Sequence, residues 1–83
     1  MLQLQLLGTL GCHLCDDAEQ VLVSSLDLNC VQVEIIDIAE SDALFERFSM
    51  RIPVLRHANS DSCLDWPFQA TEVEHFVQRL RAE

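Results

Sequence analysis

Leu2, Leu4 and Leu6 alternate with Gln3 and Gln5, a period of two that predicts a strand. Residues 8–11, which carry both glycines, break the alternation. From His13 the period becomes helical. Leu14, Ala18, Val21, Leu22, Ser25 and Leu26 fall on one face, while Asp16, Asp17, Glu19 and Gln20 supply a wetter one. Asn29 is expected to close this helix. Residues 30–36 are rich in valine and isoleucine, which favours a second strand. Asp37 with Glu40 forms one capping box and Ser41 offers a later start, so the next helix begins within 37–41. Leu44, Phe45 and Phe48 are its apolar side, and it ends near Ser49-Met50.

Ile52-Pro53-Val54-Leu55 predicts a third strand with proline at its beginning, because proline lacks the ladder donor. Residues 58–62 form a turn, and Cys63-Leu64-Asp65 a brief fourth strand. Trp66-Pro67-Phe68 is a bulky connector. Thr71 and Glu74 then have capping-box spacing. Val73, Phe76, Val77 and Leu80 make the stripe of a last helix, with Arg79 and Arg81 at its negative end.

The order β-α-β-α-β-β-α predicts an α/β fold in one domain, residues 1–83. The first β-α-β unit makes a parallel crossover, and the final hairpin extends it into a mixed four-stranded sheet flanked by helices. One feature resists this layout. A central first strand covered on both faces should be almost wholly apolar, so Gln3 and Gln5 must lie where cover ends or find hydrogen-bond partners.

Charge narrows the partners. Five arginines and no lysine face fourteen carboxylates, a formal net charge of −9. Backbone binding to nucleic acid needs clustered cations, and an anionic membrane repels such a chain. No apolar run approaches the roughly 20 residues that span a bilayer. The apolar start is interrupted by glutamines and lacks a basic flank, unlike a secretory leader. A monomer in the reducing cytoplasm is expected.

Within that frame, Cys12-His13-Leu14-Cys15 is the candidate chemistry. The spacing alone is weak, since four cysteines also allow two structural disulfides, or a zinc site built with other Cys and His residues. Its position between a strand and a helix is more telling. Disulfide exchange needs a thiolate, and only a few per cent of free cysteine is ionised at neutral pH. A helix start offers Cys12 spare N–H donors and the positive dipole end. Cys15, one turn onward, can bond back to it. A protonated His13 favours the thiolate and Asp16 and Asp17 oppose it, so a weakly lowered Cys12 pKa is expected. Cys30 and Cys63 are expected as packed strand residues, and no metal is expected.

With the strand–Gly–Cys-x-x-Cys–helix segment, Arg51-Ile52-Pro53-Val54-Leu55 and Trp66-Pro67-Phe68 on the page, the chain resembles the glutaredoxins. It more closely resembles a group of small bacterial glutaredoxin-like proteins, over essentially its whole length. The resemblance implies a thioredoxin-like fold, with Cys12 as nucleophile, Cys15 as resolving cysteine and a cis Pro53 beside them. His13 and Pro53 are then modulating residues, and Leu14, Arg51, Ile52 and Trp66 candidate substrate contacts. Arg51 suits a carboxylate, including one of glutathione. The chain departs from the family in having His13-Leu14 where glutaredoxins usually carry Pro-Tyr. It also has no clear match to their Gly-Gly and Asp region around residues 65–68.

Two functions follow. The first is a thiol–disulfide oxidoreductase acting on a protein or small-molecule disulfide, with no tightly bound cofactor and glutathione as a candidate reductant. The second is a non-catalytic protein-binding module, or a carrier of metal or an iron–sulfur cluster, on the same fold.

Overall fold

The alternating leucines become a central strand. In the computed structural model, which describes residues 2–82, β1 is Leu2–Gly8, α1 His13–Ser25 and β2 Val31–Asp37. A 3-10 turn at Ile38–Glu40 leads into α2, Asp42–Phe48. Then follow β3 (Val54–His57), β4 (Ser62–Asp65) and α3 (Ala70–Ala82). The sheet order is β2-β1-β3-β4. β1 and β2 run parallel, from Leu2↔Val31 to Gly8↔Asp37. β3 pairs antiparallel with β1 through Leu6↔Leu55 and with β4 through Leu55↔Leu64. This is the predicted mixed sheet.

The two sheet faces are covered unequally, which accounts for the glutamines. Leu4, Leu6 and Leu55 pack with Ala18 and Leu22 of α1, Phe68, and Val73, Phe76 and Leu80 of α3. On the other face Leu7 and Val54 form a smaller cluster with Ile38 and Phe48, from the 3-10 turn and α2, edged by the partly buried Ile36, Leu44, Ile52 and Cys63. Gln3 and Gln5 share that second face beyond the cover of α2, since alternate strand residues point the same way. Gln5 Oε1 accepts from Arg56 at 3.1 Å, and Gln3 Nε2 approaches Gln32 Oε1 at 3.5 Å.

Both candidate starts within 37–41 are used. Asp37 caps the 3-10 turn by accepting from the Ala39 N–H at 2.9 Å, and Ser41 caps α2 by accepting from Leu44 N–H at 3.4 Å. At α3 the prediction is off by two residues. Glu72, not Glu74, reaches back to the Gln69 N–H at 3.0 Å, and Gln69 O accepts from Val73 N–H. Thr71 therefore lies inside the first turn rather than at its cap.

The end of α1 is also earlier than expected. Leu26 is its C-cap, and Asp27 organises the following turn. Its carboxylate accepts from Asn29 N–H, and its carbonyl accepts from the N–H groups of Cys30 and Val31. The Asn29 N–H, followed by the Cys30 thiol at 3.4 Å, holds the Asp27 carboxyl below the usual carboxylate range. Cys30 is consequently an exposed turn residue and not a packed strand residue, whereas Cys63 is half-buried in β4. Leu14 and Phe45, both placed on apolar helix faces by periodicity, are each 49% exposed.

Three arginines enclose Phe48. The guanidiniums of Arg47 and Arg51 lie 4.7 and 4.8 Å from its ring centroid, and that of Arg56 lies 5.9 Å away. Asp61 binds both Arg47 and Arg56, and Asp65 binds Arg51. Aliphatic stems and flat cationic heads thus close an apolar cluster too small to seal itself.

Candidate functional site

Cys12 is the N-cap of α1, with extended backbone at φ −85° and ψ 108°. Its sulfur accepts from the Cys15 N–H at 3.2 Å, one of the donors a helix start leaves without a carbonyl partner. Cys12 and Cys15 are joined as a disulfide, with Cα atoms 5.2 Å apart. Gly11 turns the chain into this cap at φ +76°, a conformation that costs other L-residues energy. The sulfurs therefore sit where strand, turn and helix meet, and both cysteines are partly exposed.

Gly8 is the site residue that periodicity missed. It reads in the sequence as a break, yet it is the buried last residue of β1. A β-carbon on it would lie 2.6 Å from Cys15 Sγ, so the strand can pass beneath the disulfide only without a side chain.

Pro53 is buried and the Ile52-Pro53 bond is cis, as the resemblance implies. It directly precedes Val54, which pairs with Leu7, so Pro53 lies at the end of β3 that adjoins Gly8. Its carbonyl accepts from Trp66 N–H at 3.1 Å. Trp66-Pro67 is a second cis bond, to which no sequence signal pointed. The Ile52 N–H is bonded to Phe48 O at 3.1 Å.

Arg51 is engaged within the chain. Its Nε and Nη2 donate to the two Asp65 oxygens at 3.0 and 2.8 Å, and this pairing raises its pKa above the ordinary guanidinium range. Trp66 is half-buried and meets Phe68 edge to face, with centroids 5.1 Å apart. His13 and Leu14 are exposed between the cysteines.

A cavity of about 210 Å³ adjoins the disulfide. It is lined by Cys12, Cys15 and Leu10, by Asp16 and Glu19 of α1, and by Ile35 and Ile36 near the end of β2. The contribution of β2 follows from the parallel register, which sets Asp37 beside Gly8. A larger depression of about 460 Å³ lies on the open glutamine face, lined by Gln3, Gln5, Gln32 and Asn59. It contains no cysteine, whereas the smaller cavity is the one lined by Cys12 and Cys15. Among the described residues, no three Cys, His, Asp or Glu side chains gather as metal ligands, and no helix is long and apolar enough to cross a membrane.

The glutaredoxin-like domain family (DUF836) matches residues 3–81. The chain belongs to this glutaredoxin-like family. The X-ray structure of Northeast Structural Genomics target protein XcR50 from X. campestris is similar, at 30% identity and a TM-score of 0.78, over 92% of this chain and 96% of that one. Its solution structure gives 30% identity and a TM-score of 0.75, over 92% of each chain. No curated protein matches the chain. The thioredoxin-like fold of this glutaredoxin-like domain thus rests on topology, family and structural likeness together.

Proposed function

We propose that this glutaredoxin-like domain is a thiol–disulfide oxidoreductase, with Cys12 as nucleophile and Cys15 as resolving cysteine. The observation that carries the reading is the Cys15 N–H donating to Cys12 Sγ at the start of α1. The donor that meets the sulfur in the disulfide is placed to meet the thiolate of the reduced form, and charge-assisted bonds of this kind are stronger than neutral ones.

In the reduced protein, the Cys12 thiolate attacks one sulfur of a substrate disulfide. A Cys12–substrate disulfide forms, and the other substrate sulfur leaves as a thiolate that takes a proton from solvent. The Cys15 thiolate then attacks Cys12 Sγ, closing Cys12–Cys15 and releasing the second substrate thiolate. Two electrons pass from the dithiol to the substrate. Two thiols, from glutathione or a protein dithiol of the reducing cytoplasm, return the pair to the dithiol. Pro53 shapes the chain beside the sulfurs, and the Ile52 carbonyl offers one backbone acceptor to a substrate segment.

The test is reduction of a mixed disulfide under glutathione-coupled and thioredoxin-reductase-coupled conditions. Turnover is expected for the natural chain and not for Cys12→Ser, while Cys15→Ser stalls as a covalent adduct whose partner can be identified. Inactivity in both assays overturns the oxidoreductase reading and leaves the fold as a binding module.

A further inference from the structure

The charge around the cavity differs from the charge that a glutathione-type substrate needs. Asp16 and Glu19 line it from α1, and Asp37 from the end of β2. One Asp37 oxygen is used in capping the 3-10 turn, whereas Asp16 and Glu19 are exposed on the first turns of α1. None of the five arginines lines it. Arg47, Arg51 and Arg56 are gathered over Phe48 and bound to Asp61 and Asp65, and Arg79 and Arg81 lie in the last turn of α3. The sequence contains no lysine. His13 is the only basic side chain on the Cys12–Cys15 segment.

The same cavity has apolar walls. Leu10 is 90% and Ile35 60% exposed, and Leu6 and Ile36 also line it. Carboxylates and exposed aliphatic side chains lining one cavity suit a long cationic side chain, whose methylene stem packs on aliphatic surface while its head stays in water near anions. Glutathione disulfide brings net negative charge instead, and like-charge juxtaposition slows encounter as well as weakening binding.

We infer that the cavity between α1 and the end of β2 selects cationic disulfides: a substrate cystine flanked by lysine or arginine, its stem against Leu10 and Ile35 and its charge toward Asp16 and Glu19. This rests on the oxidoreductase reading and adds the substrate class. It also assigns glutathione disulfide to the disfavoured class.

Two small disulfides of similar length and opposite charge test it: cystamine, with two ammonium groups, and dithiodipropionate, with two carboxylates. Each is reacted with the reduced full-length protein under single-turnover conditions, and the ratio of the second-order rates is taken. Their intrinsic reactivities differ, so the decisive quantity is the change in this ratio in Asp16→Asn/Glu19→Gln. Neutralising two nearby exposed carboxylates is expected to lower it about five- to tenfold at low ionic strength. For the natural chain, salt should slow cystamine and speed dithiodipropionate. The remote pair Glu46→Gln/Glu74→Gln removes equal charge and should move the ratio less than twofold.

If the remote pair changes the ratio as much as Asp16→Asn/Glu19→Gln, the selectivity belongs to the whole acidic protein and the cavity assignment fails. An unchanged ratio in Asp16→Asn/Glu19→Gln, with both probes reacting, overturns charge selection while the oxidoreductase reading stands. Failure of both probes to oxidise the dithiol overturns both. The salt response of the unmutated chain tests the charge sign even where a variant folds poorly.

Discussion

Gly8 and Cys15 meet so closely that any side chain at position 8 would enter the space of the sulfur, 2.6 Å from an added β-carbon. The disulfide ties that sulfur to Cys12, so in the oxidised form it cannot swing aside. In the dithiol, rotation about the Cys15 side chain relieves the contact. Gly8→Ala should therefore destabilise the oxidised protein by about 1–3 kcal/mol, the usual range for overpacking, and the reduced protein by less. Each ~1.4 kcal/mol of that difference raises the two-electron reduction potential by about 30 mV. Redox equilibration with a glutathione buffer and denaturant unfolding of both forms check the sign. An unchanged potential rejects the close approach as a determinant.

Gly11 poses the opposite case. Its φ of +76° needs a residue tolerant of the left-handed region, yet nothing lies within 4 Å of a β-carbon built there. Gly11→Ala should cost about 1 kcal/mol through backbone conformation alone, and Gly11→Asn less, because asparagine visits that region more readily. Both should leave the potential within a few millivolts of the natural value. Chemical denaturation of the three proteins separates this backbone effect from the packing effect at Gly8.

Asp61 accepts from Arg47 and Arg56, whose hydrogen bonds hold its carboxyl below the ordinary value of 3.8. A carboxyl with a depressed folded pKa stabilises fully above its unfolded pKa and loses that stabilisation as pH falls through the folded one. Asp61→Asn should accordingly lower Tm at neutral pH. The gap should stay constant down to about pH 5, narrow as pH falls through the ordinary value of 3.8, and close below the lowered folded value. A gap independent of pH would mean that shape rather than charge joins the β3–β4 turn to α2.

The capping of α3 shows what periodicity conveys and what it leaves open. The stripe Val73, Phe76, Val77 and Leu80 is read directly from spacing, and all four are buried. The cap is not, because Thr71 with Glu74 and Gln69 with Glu72 have the same interval. Capping preference favours threonine over glutamine, but Phe68 is buried in the core immediately before Gln69, and the helix starts from there. The same limit applies at the site. Cys12, Cys15 and Pro53 are legible from motif and order, but Gly8 and the β2 wall depend on parallel register, and Arg51 on a partner fourteen residues away. Glu72→Ala should cost about 1 kcal/mol and Glu74→Ala under about 0.5 kcal/mol, measured by thermal unfolding. Reversal of that order would restore Thr71 as the cap.

Arg51 is the residue for which motif and structure suggest different experiments. As a carboxylate contact for substrate, its loss should slow reaction with anionic disulfides selectively. In the structure its guanidinium is already bidentate to Asp65 and lies over Phe48, so an incoming carboxylate must first displace an internal one. The pair is partly exposed, with side chains 37% and 46% accessible, and such pairs are worth about 0.2–1 kcal/mol. Arg51→Gln should lower stability by about that amount and change the rates toward cystamine and dithiodipropionate by a common factor. Asp65→Asn should cost less than Arg51→Gln, because it removes the ion pair and leaves the Arg51 side chain over Phe48. A selective loss of rate toward the anionic probe in Arg51→Gln would return Arg51 to the substrate site. It would also place a usable cation beside Cys12, against the charge distribution from which cationic selectivity is argued.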